Sequence, residues 1–260
     1  MITTKSESWA EIFKRLDIDS HDFNKGPFEI TANDIKEITS TYAVAHNSYT
    51  EPRCLCKQDN RGELPDIFKE KGLFILPIKN GHYKILKGDG YVDIPKIESA
   101  PIDYYSKLDF ELDTSKVGDS EMQYLDKAYA SSMIRTFMND PSLVLTIRGR
   151  KYTPSIDFTV NGEQIHASSV QTEVDAGYEG KNQVVLIEAK NSQTDNTIIR
   201  QLYYPYRQWQ KHTAKPVRTL FFEHDKHTDL YNIWEFEFTN PYEYTSIQLK
   251  RSARFRIVNG

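Results

Sequence analysis

Residues 171–190 read QTEVDAGYEGKNQVVLIEAK, and their pattern decides the fold. The first part carries polar and apolar residues in near alternation. The last part is an apolar run, VVLI, with a polar end, so two strands are expected on either side of a turn at residues 180–183. Side chains two apart on a strand share a face. Glu173 and Asp175 therefore point one way on the first strand, and Glu188 and Lys190 share a face on the second. If the strands pair with both sets on one side, three carboxylates and one ammonium converge. Hard divalent cations such as Mg2+ take oxygen ligands, commonly one or two carboxylates plus a substrate phosphate. A lysine beside them neutralises charge developing on phosphorus or orients a water.

Acid-any-lysine triplets also occur at Asp34/Lys36 and Glu179/Lys181, but only Glu188/Lys190 closes an apolar run. Upstream, Met122, Leu125, Tyr129, Met133 and Phe137 follow a helical rhythm from Ser120 until Asn139, Asp140 and Pro141 stop it. Strands are expected at LVLTIRG, SIDFTVNG, HASSVQTEVDAGYE and VVLIEAK, with a turn at Asn161-Gly162. Downstream, a helix is expected from Asp195 to about Gln210, which Pro205 must kink or shorten. A strand, VRTLFFEH, and further β structure from YNIWEFEFT follow.

The first hundred residues have a different character. The capping-box spacing of Ser8 and Glu11 starts a helix. A second is expected from Thr31 to about His46, and a third near Leu64, ended by Gly72. LFILPIK and HYKILKG flank Asn80-Gly81, a strong hairpin signature, and Pro77 puts its strand at a sheet edge. The polar stretch at residues 97–120 is the expected boundary. This gives an N-terminal helix-and-hairpin region (1–100) and a second domain (101–260).

Glu173-Val174-Asp175 and Glu188-Ala189-Lys190, in this helix, strands, helix, strand order, resemble the PD-(D/E)XK nuclease superfamily, and within it the type II restriction endonucleases. The resemblance covers roughly residues 120–224. It implies an α/β (α+β) fold: a restriction-endonuclease-like core with a mixed central β-sheet flanked by helices. It also implies that Asp175, Glu188 and the backbone carbonyl of Ala189 bind Mg2+, and that Lys190 serves the attacking water. Val174 stands where the family loosely keeps a proline. Additional acids are Glu173, Asp157 in PSIDF as a rival first carboxylate, and Glu121 at the start of the core helix.

The implied activity is that of a site-specific deoxyribonuclease hydrolysing double-stranded DNA at a short sequence, leaving 5′-phosphate and 3′-hydroxyl ends. By analogy with palindromic recognition, the partner set is DNA plus a second copy of the chain in a homodimer. About 120 residues precede the core helix and about 35 follow the core's last strand, more than the chemistry requires, which favours sequence-specific cutting, and the N-terminal region (1–100) is expected to help recognise the DNA. Two alternatives remain at this level: a structure-specific or repair nuclease of the same superfamily, and a non-catalytic DNA-binding module.

Composition bounds the rest. The chain has 260 residues, a formal net charge of −4 and two cysteines. Cys54 and Cys56 are too close for an ordinary disulfide and read as reduced thiols. No run reaches the roughly 18 apolar residues of a membrane helix, and the N-terminus lacks the apolar core of a signal peptide, so no membrane partner and a cytoplasmic location are expected. No phosphate-binding loop or dinucleotide fingerprint occurs, so no nucleotide cofactor is expected. Residues 196–222 carry five basic residues and no acid, and residues 249–260 carry four and no acid. DNA contacts are therefore expected from Arg200, Gln201, Arg207 and Lys211 in the helix and from Arg254 and Arg256 near the C-terminus. His224 and His227, in HDKH, read as a surface loop.

Overall fold

Helix α1 (Lys5–Arg15) starts one turn earlier than the Ser8 signature suggests, because the Thr4 side chain accepts the Glu7 amide. Ser8 is buried and donates to the Tyr49 carbonyl at 2.7 Å. The computed structural model describes residues 2–190 and 193–258. Strand β1 (Phe28–Thr31) runs into α2 (Ala32–Thr39), where Thr31 and Asp34 form a reciprocal capping box. This helix ends well before His46. The hydroxyls of Ser40 and Thr41 bond back to the Glu37 and Ile38 carbonyls, a local alternative to further helix.

Two short helices, α3 (Pro52–Leu55) and α4 (Asp66–Lys71), precede the hairpin of β2 (Leu73–Lys79) and β3 (His82–Lys87). The antiparallel sheet has the order β1-β3-β2, which places Pro77 on an edge strand. Gly81 closes the hairpin at φ 73°, in the left-handed region where glycine carries little steric cost. Successive residues of this hairpin face different cores. Ile75 and Ile85 pack with Trp9, Phe13 and Phe68 in the N-terminal core. Phe74, Leu76 and Leu86 pack with Phe158, Tyr203 and Tyr204 in the next.

After β3 the chain enters a larger unit. Strands β4 (Tyr91–Asp93) and β5 (Ile102–Tyr105) lead to α5 (Glu121–Ala130) and α6 (Met133–Phe137). The expected single helix is broken at Ser132, which adopts φ 67° while Arg135 bonds the Tyr129 carbonyl across the break. Strand β6 (Val144–Tyr152) is followed by a hairpin of β7 (Ile156–Val160) and β8 (Glu163–Ala167), turned at Asn161-Gly162. Then come β9 (Gln171–Glu179), β10 (Val184–Lys190) and β11 (Asn196–Ile198). The chain closes with α7 (Arg200–Gln210), β12 (Val217–Asp225), β13 (Leu230–Phe238) and β14 (Ile247–Val258).

Seven strands form a mixed central sheet in the order β5-β14-β13-β12-β10-β9-β6. The β10/β12 and β14/β5 pairs are parallel, and the other neighbours are antiparallel. Helices α5 and α6 cover one face through Leu125, Met133, Tyr178 and Phe222. Helix α7 and the β7–β8 hairpin cover the other through Tyr203, Phe158, Phe221 and Trp234. The protein is thus a mixed α/β fold whose central sheet is flanked by helices. The polar stretch at 97–120 is not empty linker, since β5 within it pairs with Phe255–Val258 at one sheet edge.

Asn196–Ile198, expected as the first turn of a helix, is a strand because it pairs with Tyr91–Asp93. Further bonds tie the two units: Ile198 N–H to the Asp59 carbonyl at 2.8 Å, Tyr204 hydroxyl to the Pro77 carbonyl at 2.8 Å, and Ser168 N–H to the Ile78 carbonyl at 2.9 Å. Pro205 sits inside α7 without ending it. Among the described residues no helix is long and apolar enough to cross a membrane.

Candidate functional site

The β9–β10 hairpin forms as its sequence pattern requires, with Ile187 opposite Ala176 and Leu186 opposite Gly177. Gly177 is needed there, since a Cβ would come within 2.6 Å of the Ile147 side chain. One step along the ladder, Asp175 and Glu188 come together. The Ala189 N–H donates to Asp175 Oδ2 at 2.7 Å, and the Lys190 ammonium donates to Glu188 Oε1 at 2.5 Å. Apolar VVLI buries the start of β10, while pairing with β12 continues to Lys190 and the Asp175 side chain takes up the Ala189 N–H where the β9 ladder stops at Ile187.

Burial governs the electrostatics. Loss of solvation, with a further push from the Asp175 charge, raises Glu188 to about 7, although Lys190 opposes the shift. Asp175 is also raised by burial, against the pull of the Ala189 N–H and Lys190. For Lys190, burial favours the neutral amine most strongly of any single influence, but the charge and hydrogen bond of Glu188 with the charges of Asp175 and Glu121 together outweigh it and leave the ammonium more strongly protonated than usual. Two desolvated carboxylates share the field of a single ammonium, so each remains costly as an anion and a further cation would lower that cost.

The pair lies at a cleft of about 590 Å³, within the size range of ligand sites. Glu121 and Glu173 also line it. Glu121 stands in the first turn of α5 and Glu173 pairs with Arg150 at 3.2 Å. The opposite wall comes from the N-terminal unit, including Arg53, Lys57, Lys79, Asn80 and Tyr83. The sequence reading missed this wall. Its one available sign was the basic, acid-free hairpin tip around Lys79 and Asn80.

Several expected site residues lie elsewhere. Asp157 is on the β7–β8 hairpin, its side chain 76% exposed and paired with His166 at 2.7 Å, and it does not line the cleft. Arg200 and Gln201 do line it. Arg200 pairs with Asp59 at 3.0 Å, and Gln201 Oε1 accepts from Thr197.

Arg207 is buried, stacked on Tyr242, and bonded to the Tyr203 hydroxyl and the Pro241 carbonyl, so it is a structural cation rather than a DNA contact. Lys211 is exposed at the far end of α7, away from the cleft. Arg254 donates to the Ser99 carbonyl and Arg256 faces Asp103, on a strand separated from β10 by β13 and β12. His224 is not in a surface loop. It is buried at the end of β12, stacked on Tyr124 and bonded to Asp229. Burial pushes the Cys56 thiol up to about 12, so it stays protonated beside the cleft.

No group of three or more His, Cys, Asp or Glu side chains forms a ready metal cluster among the described residues. The donor chemistry nevertheless fits one hard divalent cation, because a Mg2+ site built on one or two carboxylates takes its remaining ligands from water and phosphate.

A family model described as a domain of unknown function (DUF6997) matches residues 86–256, and a second, also described as a domain of unknown function (DUF6996), matches residues 6–85. The first spans well over half of the chain, which therefore belongs to the DUF6997 family. No curated protein and no solved structure matches the chain.

Proposed function

We propose that the protein is a Mg2+-dependent nuclease of the PD-(D/E)XK kind, a type II restriction endonuclease that hydrolyses double-stranded DNA at a short specific sequence. The observation that carries the reading is the junction of Asp175, Glu188 and Lys190 on two adjacent strands, beside a cleft of about 590 Å³. The order α5, β6, β9, β10, α7, β12 supports it as well, since it follows the helix, strands, helix, strand order of that superfamily's core.

Asp175 and Glu188, both lining the cleft, would hold the cation, and Ala189 fixes one Asp175 oxygen through its N–H. The chemistry a bound Mg2+ supplies is charge stabilisation on the attacking and leaving oxygens of an in-line displacement. Lys190, kept protonated by Glu188, acts as a fixed cation that orients water and offsets phosphate charge, not as a proton acceptor. A homodimer on palindromic DNA and a cytoplasmic location belong to the same proposal.

The test is digestion of a phage-sized genome with and without Mg2+, followed by sequencing of the ends. Ends sharing one short motif, formed only with Mg2+, are expected. A smear without a motif, or preference for branched or single-stranded DNA, would move the assignment to a repair nuclease. Metal-independent binding with no cutting would make the chain a DNA-binding module.

A further inference from the structure

We infer that the N-terminal unit grips the phosphodiester backbone of DNA lying in the cleft, through Arg53, Lys57 and Lys79. The identity of the polyanion rests on the nuclease proposal, while the existence of a cationic wall does not. Arg53 belongs to α3, Lys57 follows it, and Lys79 ends β2 at the hairpin tip, so separate elements deliver positive charge to one concave surface. All three side chains belong to exposed residues. Arg53 and Lys79 have no ion-pair partner among the described residues, and Lys57 has only a loose one, Asp59 at 3.5 Å.

Across the gap stand Glu173, Asp175 and Glu188, none of them bonded to these cations. A phosphate backbone answers both sides: its charge meets the wall, and its reacting phosphate meets the carboxylates through the cation they would hold. The bonds from Asp59, Pro77 and Ile78 to the larger unit fix the wall in place, so it is preorganised for a ligand rather than carried on a loose arm.

The experiment measures affinity for a fluorescent DNA duplex by anisotropy over a range of salt, in EDTA so that no cutting intervenes. Each phosphate contact contributes about 0.9 to the log–log salt slope. Arg53→Ala/Lys79→Ala should therefore lower the slope by about 2 and weaken binding at least about tenfold at 0.1 M salt. The charge-conserving Arg53→Lys/Lys79→Arg should keep the wild-type slope, which a merely structural effect would not reproduce. An Ala variant with an unchanged slope and an unchanged thermal midpoint would overturn the inference.

The two proposals separate cleanly. Cutting by wild type together with an unchanged slope in the Ala variant sinks the wall and leaves the nuclease. A reduced slope together with no cutting under any divalent cation does the reverse. No affinity of wild type for DNA overturns both.

Discussion

The cleft and the β13–β14 face hold charges in opposite states. On β14 each basic residue already has an oxygen: Lys250 meets Glu237, Arg251 meets Glu235, Arg254 meets the Ser99 carbonyl and Arg256 faces Asp103. Three of the four basic residues in the acid-free run that stands out in the sequence thus meet acids on neighbouring strands, and the fourth meets a carbonyl. In the cleft some charges are paired, as Glu188 is with Lys190 and Glu173 with Arg150, but the balance is incomplete. Asp175 and Glu188 share a buried corner, and Arg53 and Lys79 stand without a counter-ion among the described residues. Charge density along a chain is thus a poor guide to a binding surface. Charge that the fold leaves unanswered is a better one.

Removing a buried carboxylate of the cleft should have the largest effect. Glu188→Ala is expected to reduce initial cleavage rates at least about 100-fold, the scale of losing a main transition-state stabiliser, with DNA affinity kept within a few-fold. Asp157→Ala should leave the rate within about twofold, and the opposite pattern would restore the exposed hairpin acid as the metal ligand.

Next comes an answered charge. Arg207→Ala should cost roughly 3 kcal/mol in urea unfolding, because two buried acceptors lose a charged donor. Arg53→Ala, on the exposed wall, should stay within about 0.5 kcal/mol. Equal costs would erase the contrast between the two kinds of cation.

The third effect is on metal affinity. Below about pH 7 Glu188 holds a proton that an entering cation must displace. Calorimetric titration with Mg2+ should therefore show affinity falling about tenfold per pH unit on the acid side of 7, and more steeply once Asp175 also protonates. A flat profile between pH 5.5 and 7 would remove Glu188 from the ligand set. Smallest of all, Arg254→Ala/Arg256→Ala should leave the salt slope of DNA binding within about 0.3 of wild type, a third of one phosphate contact.

Local patterns were legible wherever a local cause decides the structure. The Asn80-Gly81 and Asn161-Gly162 turns, the Gly72 helix stop and the pairing of β9 with β10 could all be read from neighbouring residues. The meeting of Asp175 with Glu188 follows from that pairing and needs no further information. What stayed hidden depends on distant partners. Asn196–Ile198 is a strand only because Tyr91–Asp93 lies beside it, and β5 exists only through the end of β14. Arg207 resembled a surface cation on a helix until Tyr203, Pro241 and Tyr242 closed around it. The second wall of the cleft was invisible for the same reason, since its position depends on how two units dock.

The boundary between the two family matches falls between Ile85 and Leu86, in the middle strand of the N-terminal sheet. Ile85 belongs to one hydrophobic core and Leu86 to the other. A protein cut at that point would lose part of a shared partition, as two rooms lose the wall between them. The halves distinguished by family are therefore not halves for folding: heat should dissolve both cores in a single calorimetric transition, and neither half gains from being inherited without its neighbour.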